Sequence, residues 1–87
     1  MQDLGNTQFF KVEVDTASSV ELILETVFEV MKEKGYNPVN QIVGYIMSGD
    51  PTYITSYKNA RSLIMKVERD EIVEELLKSY ISNNKWE

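Results

Sequence analysis

Eighty-seven residues, 43% of them hydrophobic, carry a formal net charge of −5 and include neither cysteine nor histidine. Such a chain makes one domain at most, with no disulfide staple, thiolate zinc site, cysteine nucleophile or histidine base. Its nine basic residues are scattered among fourteen acids, so no cationic stripe is offered to nucleic acid or to an anionic membrane.

A chain this short buries only about 60% of the surface its unfolded form exposes. Without staples, a small helical core is often completed by self-association, so a homodimer is expected. No apolar run approaches the ~20 residues of a spanning helix, and no secretory leader opens the chain, which predicts a cytoplasmic protein. No cofactor or metal site is expected.

In chain order, residues 1–17 read as an N-terminal arm, 18–82 as a helical dimerisation domain and 83–87 as a tail. Within the arm, Phe10, Val12 and Val14 alternate with Lys11, Glu13 and Asp15, the period of a short strand. One strand forms no sheet alone: it stays free, packs on helices or pairs with its copy in a second subunit. The expectation is a flexible or weakly extended arm.

Ser18 and Glu21 are spaced as a capping box. Val20, Ile23, Leu24, Val27, Phe28 and Met31 follow at helical spacing, with Lys32 and Lys34 at the negative end of the dipole and Gly35 as the cap. This predicts a helix over 19–34. Asn37-Pro38 pairs an N-cap with a first-turn proline and opens a second helix over 38–47, with Val39, Ile42, Val43 and Ile46 on one face. Gly44 inside it costs ~1 kcal/mol against alanine, which points to close helix packing. Gly49 ends that helix, and Asp50-Pro51 starts a short turn through Ile54. The glycines match neither G-x-G-x-x-G nor G-x-x-x-x-G-K-[ST], and no strand precedes Gly35, so the segment is punctuation rather than a phosphate cradle.

Residues 58–81 change phase. Ala60, Leu63, Ile64 and Val67 share one face, whereas Ile72, Val73, Leu76, Leu77, Tyr80 and Ile81 fall on nearly the opposite one. The pattern fits either a break near residues 68–70, with Asp70 as a new N-cap, or a straight helix buried from two sides. The break is favoured, and the fold predicted is all-α, a compact bundle of about four to five short helices in an intertwined homodimer.

Candidate chemistry is sparse. Glu71 and Glu75, one turn apart, read as a solvated helix face complementing the dipole. Tyr36, Tyr45, Tyr53, Tyr57 and Tyr80 suit core margins or an interface, since a tyrosine buries its ring while its hydroxyl stays wet. Thr7 stands in the arm, where a kinase can draw it into extended form.

The segment EKGYNPVNQIVGYIMSGDPTYI, then NAR at 59–61 and ERDEIVEELLKSYI at 68–81, resembles the IreB-type regulatory phosphoproteins of low-GC Gram-positive bacteria. The resemblance covers roughly residues 19–81. It implies a small, cytoplasmic, helical and dimeric protein without enzymatic activity. The implied role is negative regulation of intrinsic cephalosporin resistance, downstream of a PASTA-type Ser/Thr kinase and its opposing phosphatase, through an unknown downstream protein. Carried over residue by residue, Thr7 takes the place of the phosphoacceptor before Phe10-Lys11-Val12. The family's second acceptor, a few residues earlier, has no counterpart; Leu4 stands in that neighbourhood. Thr55-Ser56 replaces the Pro-Arg that relatives tend to carry. The rival readings are an interaction module that is never phosphorylated and, against the acidic balance, a helix-turn-helix DNA binder.

Overall fold

The computed structural model describes residues 16–86 of the chain. The regular structure there is helical throughout: α1 (Thr16–Glu33), α2 (Pro38–Ser48), 3-10 turns at Pro51–Tyr53 and Tyr57–Asn59, α3 (Ala60–Ile64) and α4 (Arg69–Asn83). The all-α expectation holds. Thr7 and the alternating segment at 10–15 lie outside the described residues.

Helix α1 starts at Thr16, so Ser18 stands within its first turn rather than capping it. Nothing between Thr16 and Ser19 breaks a helix, and Ala17 favours one. At the other end Gly35 adopts φ 92°. Its N–H donates to Lys32 O at 3.1 Å and the Tyr36 N–H to Met31 O at 3.0 Å, the paired bonds of a Schellman motif.

Asn37 then opens α2 as predicted. Its extended backbone lets Oδ1 accept from the Asn40 N–H at 3.1 Å, with Pro38 in the first turn. Gly49, at φ 77°, ends α2 and donates to Tyr45 O at 2.8 Å. A side chain there would also strike Arg69, whose Cζ lies 2.9 Å from the ideal Cβ position. That guanidinium donates to Ile46 O at 2.9 Å, so the first residue of α4 caps the last turn of α2. Asp50 Oδ1 accepts from the Thr52 N–H at 3.0 Å and its hydroxyl at 2.7 Å, fixing the turn that follows.

Gly44 corrects its expected role. The neighbour it admits is not a helix but the ring of Tyr53, from the 3-10 turn; an added Cβ would overlap Cδ1 and Cε1. Gln41 Nε2 donates to Tyr53 O at 2.9 Å and holds the turn against α2.

The predicted break separates α3 from α4, but the cap is Glu68 rather than Asp70. Glu68 is extended, at φ −77° and ψ 150°, and its N–H donates to Glu71 Oε1 at 2.8 Å. Glutamate is a weak cap in its own right; the reach of Glu71 back over the first turn selects this register.

The core joins Val20, Val27, Val30 and Met31 of α1 to Tyr45, Ile54, Ala60, Ile64 and Ile72. Val30, outside the predicted stripe, is buried, while Phe28, inside it, is partly exposed. Helix α1 packs chiefly on α3 and then α4, which turns its stripe slightly away from Phe28.

Candidate functional site

The most distinctive surface is an apolar groove between α1, α2 and α4, about 360 Å³ in volume. Leu24 and Phe28, one turn apart, form its α1 wall; Val39, Ile42, Val43 and Ile46 form its floor; Leu76 closes it from α4; and Glu25 stands on the rim. The spacing i, i+3, i+4, i+7 on α2 makes the floor continuous. Val39 remains 62% exposed and Leu76 47%. On α1, Glu21, Glu25 and Glu29 are all exposed and follow at i, i+4 and i+8, making an acidic rail beside the groove. One turn further, the Lys32 ammonium lies 5.9 Å from the centre of the Phe28 ring.

Beside the groove, α4 presents a second apolar strip. Val73, Leu77 and Tyr80 recur at i, i+4 and i+7; Leu77 is 52% and Tyr80 56% exposed. Trp86 meets Tyr80 edge-on, with ring centres 5.5 Å apart. Of the residues expected on the apolar face of α4, only Ile72 is buried. Uncovered apolar side chains gathered on adjoining faces mark a contact surface.

At the far end of α1, a polar cluster surrounds Tyr57. Lys58 Nζ lies 3.1 Å from Glu33 Oε1, the Tyr57 hydroxyl donates to Glu33 Oε2 at 3.3 Å, and Lys34 Nζ lies 4.7 Å from the Tyr57 ring centre. The Lys58 hydrogen bond holds the Glu33 carboxyl below its ordinary value, slight burial opposing it, and Glu33 in turn raises Lys58. Lys58 and Asn59 both take left-handed backbone conformations, at φ 50° and 63°. Asparagine tolerates that region and lysine rarely enters it.

The five tyrosines are not brought together. Tyr45 is buried in the core, Tyr53 covers Gly44, Tyr57 joins the Glu33 cluster, and Tyr36 and Tyr80 are exposed at different helix ends. Glu71 and Glu75 are half-buried rather than on a fully solvated face, and Glu71 is engaged in capping α4. Among the described residues, no group of three or more acids could hold a metal ion, and no helix is long and apolar enough to cross a membrane. The α2 stripe announced the floor of the groove, but neither Phe28 nor Leu76 could be assigned to it before the helices were placed.

These features define an all-helical fold whose distinctive surface, among the described residues, is apolar contact area. The chain belongs to the IreB family: the profile described as IreB regulatory phosphoprotein matches residues 5–82. It is 62% identical over 84 residues to a UPF0297 protein of Lachnoclostridium phytofermentans, covering 97% of this chain and 96% of that one. A UPF0297 protein of Ruminiclostridium cellulolyticum is 54% identical over 81 residues, 93% of this chain and 92% of the relative. One from Acetivibrio thermocellus is 56% identical over 77 residues, 88% and 86% of the two chains.

Proposed function

We propose that this protein is a non-enzymatic regulatory phosphoprotein, modified at Thr7 by a PASTA-type Ser/Thr kinase and restored by the opposing phosphatase. It acts in the cytoplasm as a homodimer and as a negative regulator in a cell-envelope and cephalosporin-resistance pathway, through a downstream protein. Membership of a family described as regulatory phosphoproteins carries this reading. The contact surfaces support it: the strip Val73, Leu77, Tyr80 on α4 is the kind of face that a second copy covers. The helix-turn-helix rival has less support, since Asp70, Glu71, Glu74 and Glu75 on α4 would repel a phosphate backbone.

The test is incubation with a PASTA-type kinase and ATP, followed by mass spectrometry of the N-terminal peptide. One phosphate on Thr7, absent from Thr7→Val, is the expected result; an unmodified peptide alongside an active control substrate overturns the reading. Sedimentation of the wild type and Leu77→Asp addresses the dimer. The variant is expected to sediment as a monomer with its helicity retained.

A further inference from the structure

The groove lies within reach of a segment of the same chain that has the matching pattern. We infer that the alternating residues Phe10, Val12 and Val14 dock in the groove between α1, α2 and α4, running back along α1, with Phe10 seated between Leu24 and Phe28.

Reach and register carry this. Phe10 lies six residues before Thr16, so extended chain carries it ~20 Å from the start of α1. The midpoint of Leu24 and Phe28 lies ten residues into α1, ~15 Å along its axis. The difference leaves room for the sideways step of ~10 Å that separates packed elements.

With Phe10 anchored there, Lys11 falls opposite the acidic rail, while Glu13 on the same edge comes level with Glu21 and offsets part of that attraction. Lys11, one residue back, comes level with the rim residue Glu25 and its neighbour Glu21. Thr7, three residues on, extends ~10 Å further, level with Lys32 at the end of the acidic rail. Period two turns Phe10, Val12 and Val14 to one side and Lys11 to the other, which suits a groove with an apolar floor and a charged rim. The chain's own arm also has the advantage of high effective concentration over a separate occupant.

The register has a consequence for modification, which rests on the reading of Thr7 as the phosphoacceptor. A phosphate there brings about −1.5 to −2 charges beside Lys32. Phosphorylation therefore tightens docking, by about two- to fivefold, the range of a single exposed charge pair.

Because the chain has no cysteine, Gln8→Cys gives a single attachment point for a nitroxide. The probe is that spin label on full-length, unmodified protein, read through the methyl signals of Leu24, Ile42, Val43 and Leu76. Broadening of these signals, lost in Phe10→Ser and still present on tenfold dilution, is the expected result. Groove methyls as sharp as those of Ile54 and Ile64, or broadening that disappears on dilution as a second copy leaves, overturn the docking. A mixture of spin-labelled and methyl-labelled chains shows which chain supplies the arm, and broadening found only between chains overturns docking within one. Docking is measured without phosphate, so it stands or falls independently of whether a kinase accepts Thr7. In the kinase-treated chain, deeper broadening that Lys32→Gln reverses supports the register, and unchanged broadening refutes the Lys32 contact.

Discussion

Replacing Gly44 by alanine sets two effects of opposite sign against each other. In a helix interior the substitution gains ~1 kcal/mol of propensity. Against that, the new methyl occupies the position of the Tyr53 ring, with Cζ of the ring 2.9 Å from the ideal Cβ. The clash falls on the body of the ring rather than a flexible tip, so the ring must leave. Tyr53 is 39% exposed, so most of its ring is covered. Losing roughly 100 Å² of that cover costs ~2.5 kcal/mol at about 25 cal/mol/Å². The net expectation is a loss of ~1.5 kcal/mol. In a Tyr53→Ala background the obstacle is gone and the same substitution should stabilise, by up to ~1 kcal/mol. Urea unfolding followed by circular dichroism, at one fixed protein concentration so that any self-association enters every variant alike, measures all four corners of the cycle. An equal effect of Gly44→Ala in both backgrounds would refute the claim that the glycine is there for the ring.

Arg69→Met keeps the aliphatic stem but removes the donor to Ile46 O; it should cost ~1 kcal/mol in the same assay, and Arg69→Lys should recover only part of it. Acid should destabilise the fold through Asp50 and Glu33. The Thr52 hydroxyl and N–H hold the Asp50 carboxyl below its ordinary 3.8, and Lys58 holds Glu33 below 4.5. Both therefore bind protons less readily folded than unfolded. Their contribution is present above about pH 5 and disappears as pH falls through the lowered values, which a melting-temperature series from pH 6 to pH 3 reads directly. Lys58, raised above 10.5 by Glu33, has the opposite sign: its contribution is intact below that pH and is lost as pH rises through the folded value. Asp50→Asn should flatten the acid limb without touching the alkaline one.

Where a residue acts on its own backbone, it could be read directly. Gly35, Asn37-Pro38, Gly49 and Asp50-Pro51 each determine a turn or a cap within four residues, and all appear where the sequence puts them. The phase reversal after Val67 likewise announced the break before α4, because a continuous helix could not turn both stripes to one core. What failed depended on neighbours remote in sequence or on competition between near-equals. Glu68 displaced Asp70 as cap through the side chain of Glu71. The ring that explains Gly44 comes from a turn nine residues away. Phe28 and Val30 lie at opposite edges of one broad stripe, and the packing of α3 on α1 decides which is covered. Periodicity marked α4 as apolar on one side without saying what covers it.

That uncovered side gives the two proposed contacts a common element. Leu76 lies on the groove, and Val73, Leu77 and Tyr80 lie on the adjoining strip of the same helix. An arm seated against Leu76 and a second copy seated on Leu77 would both bear on α4, which is held to the body at Ile72 and through Arg69. Two contacts on one helix are coupled where each shifts the placement of α4, and that coupling free energy acts equally in both directions. Docking of the arm then changes the dimer affinity by the same factor by which dimerisation changes docking, and a phosphate acts on the dimer only through the fraction of arm that is docked. The modified threonine itself need never touch the second copy. A charge placed in the arm would thus reach the subunit contact through packing alone, without rebuilding the core in which Ile54, Ile64 and Ile72 are fully buried.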